Sequence, residues 1–201
     1  MTATTFLVGV SGCSSSQSDA QQPWAEGYAP FDEMIPNVID DAKAGGASTS
    51  QIALLEQARK KGEVTVEMMR EAVSGVSDCF EAGGGAVEPR DDVIVPGVVW
   101  PAYQVGYDES IGESTIDLLV KSCEAQEYRW ISSVYQTQPT SREALGQYVL
   151  SKEGVLRDCL EGFGVPTDPA ADGWELAQQA VALDDVDVTL ECFAAAGIST
   201  L

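Results

Sequence analysis

The sequence predicts a mainly helical domain carrying one small β-hairpin, an α+β arrangement braced by disulfides. Three observations predict it. Apolar residues recur three and four apart behind helix-start signals along most of the chain. That period gives way to a β-rich composition only between Ala86 and Tyr107. Cys79, Cys123, Cys159 and Cys192 form an even set, the arithmetic of a disulfide framework. With 201 residues and 44% hydrophobic content, the chain has material for one domain with a true core.

Taken in order, residues 24–46 hold Pro30, Pro36 and the pair Gly45-Gly46 around the short apolar cluster Phe31, Met34, Ile35, Val38 and Ile39. They read as a lead-in with about one helical turn. The first firm helix opens at Ser48, where Gln51 completes a capping box, and runs through Ile52, Leu55 and Ala58 to a stop at Gly62. A second opens at Thr65 and sets Val66, Met69, Val73, Val76 and Phe80 on one stripe. The short link between them predicts a helical hairpin. That junction is not a calcium loop, because counting from Gln57 puts Arg59 and Lys61 at ligand positions.

In the β-rich stretch, Val93–Val95 and Val98–Trp100 flank Pro96-Gly97, which is turn chemistry, and Pro101 belongs at an edge or bend. The aromatic run Trp100, Tyr103 and Tyr107 offers either a sugar-stacking platform or a packing face that the hairpin needs for stability, and the packing face is favoured. A third helix is expected from a capping box at Ser110 and Glu113, carrying Ile116, Leu119, Cys123, Trp130 and Val134. A fourth is expected from Pro139 with a box at Thr140 and Glu143, presenting Leu145, Val149, Leu156, Leu160 and Phe163, with Gly154 weakening its middle. After the turn at residues 165–169 come a short helix around Trp174, Ala177 and Val181 and a last one with Val186, Leu190 and Phe193.

Three cysteines share a local pattern: Asp78-Cys79-Phe80, Asp158-Cys159-Leu160 and Glu191-Cys192-Phe193, with Gly84, Gly164 and Gly197 always five residues beyond the cysteine. Glycine follows a helix where the chain turns through the left-handed region, so one helix ending is expected three times. Four cysteines allow three pairings. Cys79 with Cys123 and Cys159 with Cys192 are expected, because each joins neighbours in sequence and the first links the helices that flank the hairpin. No C-x-x-C occurs, which removes a thioredoxin-like pair or a zinc ribbon.

The charge balance of 11 basic against 32 acidic residues leaves a net −21, which repels nucleic acid and anionic lipid at long range. No nucleic-acid partner is expected. The chain has no histidine, which removes Ser-His-Asp and Cys-His catalysis and histidine metal sites. The acidic pairs Asp40-Asp41, Asp91-Asp92 and Asp184-Asp185 sit beside turn or helix-start signals, where carboxylates cap helices and solvate loops. A carboxylate-based hydrolase acting on envelope glycans is the alternative to a binding protein, and a weak cation site at Asp184, Asp185 and Asp187 competes with capping. Neither an enzyme nor a cofactor or metal is expected.

The N-terminal run Thr5–Cys13, TFLVGVSGC, closes on Val10-Ser11-Gly12-Cys13 and is followed by a Ser/Gln-rich stretch. It resembles a bacterial lipobox, without a preceding Lys or Arg and with a short apolar run. The resemblance implies cleavage before Cys13 and lipidation of its thiol, leaving an extracytoplasmic protein anchored to the cell membrane by its acyl chains, with an envelope protein as its possible partner. The organisation expected is a signal peptide over 1–12, lipidated cysteine, tether and lead-in over 13–46, and one helical domain over 47–201. The stretch from Leu54 to Gly85, then the β segment and the helix bearing Cys123-Glu124, is similar to a unit of uncharacterised exported lipoproteins of actinobacteria. That resemblance spans residues 48 to about 137 and implies a fold without a defined activity.

Overall fold

The computed structural model describes residue 24, residues 27–107 and residues 112–198. Its order is α1 (Phe31–Ala44), α2 (Thr49–Lys61), α3 (Val66–Ala82), β1 (Ala86–Val95), β2 (Val98–Gly106), α4 (Glu113–Glu127), α5 (Arg129–Thr137), α6 (Pro139–Leu150), α7 (Glu153–Gly162), α8 (Gly173–Val181) and α9 (Val186–Ala196). The fold is mainly helical with one antiparallel two-stranded hairpin, as the periodicity predicts. Among the described residues no helix is long and apolar enough to cross a membrane.

The first correction is the lead-in. Residues 31–44 form a helix of 14 residues rather than a single turn, and Phe31, Ile35, Ile39 and Ala42 are buried along one side of it. Their four- and three-residue spacing is a helical stripe. Pro36 lies inside the helix and withholds one hydrogen bond near its start, a loss that burial of this stripe outweighs. The stripe packs with Leu54, Leu55 and Ala58 of α2, Met69 and Ala72 of α3, and Ile131 and Val134 of α5. The folded part of the chain therefore includes α1, upstream of the boundary expected at residue 47. Further upstream, Trp24 is buried against Gly146 of α6 and its indole N–H donates to Glu143 at 3.0 Å.

Both early helices start at the expected caps: the Ser48 hydroxyl accepts from Gln51 N–H at 3.1 Å and Thr65 from Met68 N–H at 3.3 Å, but Gln51 does not complete the box at Ser48, because its carboxamide bonds the α4–α5 segment and Ser48 N–H donates to the carbonyl of Gln126. Gly62 ends α2 at φ +85°. The recurrent helix ending is a Schellman motif in all three copies. Gly84, Gly164 and Gly197 have φ of +87°, +76° and +67°. Each donates to the carbonyl three residues back (Glu81, Glu161, Ala194), and the next residue donates to the carbonyl five back (Phe80, Leu160, Phe193).

The third and fourth helices are each broken in two. The third breaks at Tyr128, whose φ −133° and ψ −45° interrupt the helical path between α4 and α5. Its expected cap Ser110 lies outside the described residues, and Gly112 occupies the N-cap position without a side-chain bond. The fourth breaks at Ser151-Lys152, just ahead of Gly154. Thr140 and Glu143 form no capping box: Gln138 is the N-cap, Pro139 the first helical residue, and Glu143 is turned to Trp24. Gln138 uses its carboxamide elsewhere, accepting from Val64 N–H at 2.8 Å and donating to Val64 C=O at 3.0 Å, so the one buried residue of the α2–α3 link is paired as a strand residue would be.

The disulfides join Cys79 to Cys123, with α-carbons 5.7 Å apart, and Cys159 to Cys192, 5.5 Å apart. The first ties α3 to α4 in a cluster with Val76, Phe80 and Ile116 under the hairpin. The second ties α7 to α9 in a cluster with Leu156, Leu160, Leu176 and Phe193. In that last cluster the stripe differs from the one expected. Val181, Val186 and Leu190 are exposed at 64%, 66% and 49%, and Phe163 is half-exposed as well. Ala177 and Phe193 are buried as expected, and Ala180, Cys192 and Ala196 face inward with them, Cys192 held there by its bond to Cys159.

Candidate functional site

The hairpin is longer than the sequence suggested and its two edges are not equivalent. Pro89 of β1 faces Tyr103, and Pro101 of β2 faces Asp91. A proline nitrogen cannot donate, so both pairs belong to the class that does not exchange ladder bonds, and the nitrogens of these residues point away from the partner strand. Two tyrosines of the following helical segment confirm the alternation: Tyr135 donates to the carbonyl of Val99 at 2.6 Å and Tyr128 to that of Pro101 at 2.9 Å. The outer edge of β2 is thus covered at Val99 and Pro101. By the same alternation Val87, Pro89, Asp91 and Val93 turn their backbone groups to the outer edge of β1, and among the described residues no hydrogen bond reaches them.

Beside that edge an open groove of about 580 Å³ runs between β1 and α3. Arg70, Ser74, Ser77 and Glu81 line it from α3 at intervals of about one turn, and Val73, Val87, Pro89 and Pro101 form its apolar floor. The two serines are small, which keeps the groove open. At one end Arg70 reaches across to Asp91, Nη2 to Oδ2 at 2.7 Å. Arg90 pairs with Asp92 at 3.1 Å. Both arginines are thereby neutralised, while Glu81 has no ion-pair partner among the described residues.

The aromatic run divides. Trp100 donates to the Tyr128 hydroxyl at 2.9 Å and stacks edge-on with Tyr135, and Tyr103 donates to Glu124 at 2.6 Å and stacks edge-on with Tyr128. Both side chains pack the hairpin against the helices, from opposite faces of β2 around Tyr128 at its edge, and only Tyr107 is half-exposed. Burial above all, then the hydrogen bond to Glu124, pushes the Tyr103 phenol far above its usual range. Burial likewise raises Tyr128 and Tyr135. A folded-state value above the unfolded one near 10 means stability that is complete below about pH 10 and lost as pH rises beyond it. Phenolate absorbance in an alkaline titration should therefore show these three tyrosines ionising together with loss of near-UV circular dichroism. Tyr103 ionising in a folded protein near pH 10 would contradict the burial.

Of the acidic pairs, only one sits at a helix start. Asp185 caps α9, accepting from Asp187 N–H at 3.2 Å and Val188 N–H at 3.3 Å. Asp40 and Asp41 lie near the end of α1, where Asp40 pairs with Lys43, and Asp91 and Asp92 lie within β1, each bonded to a different arginine. Neighbours in a strand point to opposite faces, so this last pair does not converge on one substrate atom. Among the described residues no group of three or more Asp, Glu or Cys side chains is arranged to hold a metal ion, and Asp184, Asp185 and Asp187 do not form such a group. Cys13 lies outside the described residues. The groove was missed by reading the chain because it exists only where strand pairing and helix packing meet, although Pro89 and Pro101 carried half of the signal. Compared with known proteins, the chain matches no protein-family model, no curated protein and no solved structure.

Proposed function

We propose that the protein is a non-enzymatic binding module of the bacterial envelope, lipidated on Cys13 and held at the outer face of the cytoplasmic membrane. The observation that carries this reading is the pair of disulfides, each bracing a different part of the core, since such bonds persist in oxidising compartments outside the cytoplasm. The lipobox-like Val10-Ser11-Gly12-Cys13 supplies the export and anchoring signal that such a compartment requires. Trp24, fixed to α6, sets the reach: the chain from Cys13 to Trp24 spans at most roughly 40 Å when extended, which keeps the domain near the bilayer. The strong net negative charge and the open strand edge with its groove suit recognition of a protein segment better than chemistry on a small molecule.

The test is the fate of Cys13. Intact-mass spectrometry of wild-type protein from envelopes should show loss of residues 1–12 and gain of acyl mass, and Cys13→Ala should leave the protein uncleaved and without the acyl mass. Equal membrane association and equal processing in the variant would refute the anchor. Glycan turnover abolished by one Asp or Glu substitution that leaves the fold intact would refute the non-enzymatic assignment.

A further inference from the structure

We infer that the outer edge of β1 and the adjoining groove dock an extended segment of a partner protein by strand addition, and that the segment carries a lysine or arginine toward Glu81. This deepens the binding-module reading and rests on it. The inference starts from the backbone. Val87, Asp91 and Val93 each present an outward N–H and C=O, and Pro89 presents its C=O alone. That ladder of donors and acceptors is what an added strand requires, and it is interrupted at one position, which fixes the partner's placement along β1. The opposite edge is a poorer template, because Tyr128 and Tyr135 lie over its first half and already donate to the carbonyls of Pro101 and Val99.

Side chains supply the specificity. Val93 stands 68% exposed at the turn end of this edge, an apolar contact awaiting a neighbour. Alternate side chains of an added strand point into the groove, over Val73, Val87 and Pro89 and between the small Ser74 and Ser77. The Arg70–Asp91 pair closes one end, and Glu81 at the other end is the unneutralised charge, on a protein whose net charge is −21. Charge complementarity therefore selects a basic segment. A second copy of the chain is disfavoured as the occupant, because antiparallel pairing of two β1 edges would oppose Pro89 or like charges from Arg90, Asp91 and Asp92 while joining two strongly acidic molecules.

The test uses the full chain, with its disulfides intact, immobilised and screened against a displayed library of random linear peptides. Enriched peptides should alternate β-branched or aromatic residues with polar ones and include Lys or Arg, and their binding should protect the amides of Val87, Asp91 and Val93 from hydrogen exchange. Val93→Pro, which removes an outward donor without touching the β1–β2 ladder, and Ser77→Trp, which fills the groove from a partly exposed position, should each weaken binding about tenfold or more. Glu81→Gln should weaken it less and flatten its salt dependence. Peptides that bind both Val93→Pro and Ser77→Trp undiminished would overturn the site, as would the absence of any enrichment over uncoated matrix. Self-association lost in Val93→Pro would overturn the assigned occupant in favour of a second copy. If peptides fail while the lipidated chain and its Val93→Pro variant retain the same envelope partner, the binding-module reading stands and this edge falls.

Discussion

Removing either disulfide should lower the melting temperature by roughly 8–16 °C, and removing both should leave no stable fold at physiological temperature. The bonds close stretches of 44 and 33 residues in sequence. Restricting the unfolded chain over loops of that size contributes about 4 kcal/mol each in the chain-entropy model. For a domain of this size each kcal/mol moves the midpoint by roughly 2–4 °C. Two such contributions together approach the roughly 5–15 kcal/mol that separates most folded domains from their unfolded states. Paired variants avoid stray thiols: Cys79→Ala with Cys123→Ala for one bond, Cys159→Ala with Cys192→Ala for the other. The two should also differ in where the protein loosens. Loss of the first should speed hydrogen exchange in α3 and α4 under the hairpin, because Cys123 is fully buried among Val76, Phe80 and Ile116. Loss of the second should speed it in α7 and α9, around Leu156, Leu160 and Phe193. Midpoints within a few degrees of wild type, or a peptide map linking Cys79 to Cys159 or Cys192, would show that the bonds do not brace the fold in this way.

The disulfide partners were legible because the information is local. Each of three cysteines sits in a helix ending whose glycine signals the left-handed turn, and the hairpin between the first two helices leaves them little choice of neighbour. The starts at Ser48 and Thr65 were legible for the same reason, since a side chain caps a backbone group three residues away. Legibility ends where a distant residue substitutes for a local rule. Pro30 and Pro36 hid α1, although its buried stripe has a regular helical spacing, because burial against α2 and α5 outweighs the proline's missing bond. Glu143 has the right spacing for a capping box, yet its carboxylate serves Trp24, which lies 119 residues earlier in the chain. The candidate site is the extreme case. A free edge and a groove are properties of which strand a tyrosine happens to cover, and that depends on the path of α5 across the hairpin.

Gln51→Leu should destabilise the protein by roughly 3–5 kcal/mol although the new side chain is apolar and similar in size. Gln51 reads in the sequence as half of a capping box, and its backbone does accept that role with Ser48. Its carboxamide does something else. Fully buried, it bridges the break between α4 and α5, accepting from the N–H groups of Trp130 at 2.8 Å and Ile131 at 3.3 Å and donating to the carbonyls of Ala125 at 3.2 Å and Gln126 at 2.5 Å. A helix interrupted at Tyr128 exposes these groups, and no water reaches a side chain that is wholly enclosed. Leucine would leave two or three of them orphaned at about 1–3 kcal/mol each; the Gln126 carbonyl is partly spared because it also accepts from Ser48 N–H at 2.8 Å. Gln51→Glu separates this explanation from simple misfit. An ionised carboxylate would still accept from Trp130 and Ile131 but would face two carbonyls, so its folded-state pKa should rise above the unfolded value near 4.3. The raised value places the stability at low pH: the deficit of Gln51→Glu relative to wild type should shrink as pH falls toward about 4, where the protonated acid again offers one donor and one acceptor. A Gln51→Leu protein within 1 kcal/mol of wild type by urea unfolding, or a Gln51→Glu deficit that does not change with pH, would show that the α4–α5 break is satisfied without this side chain.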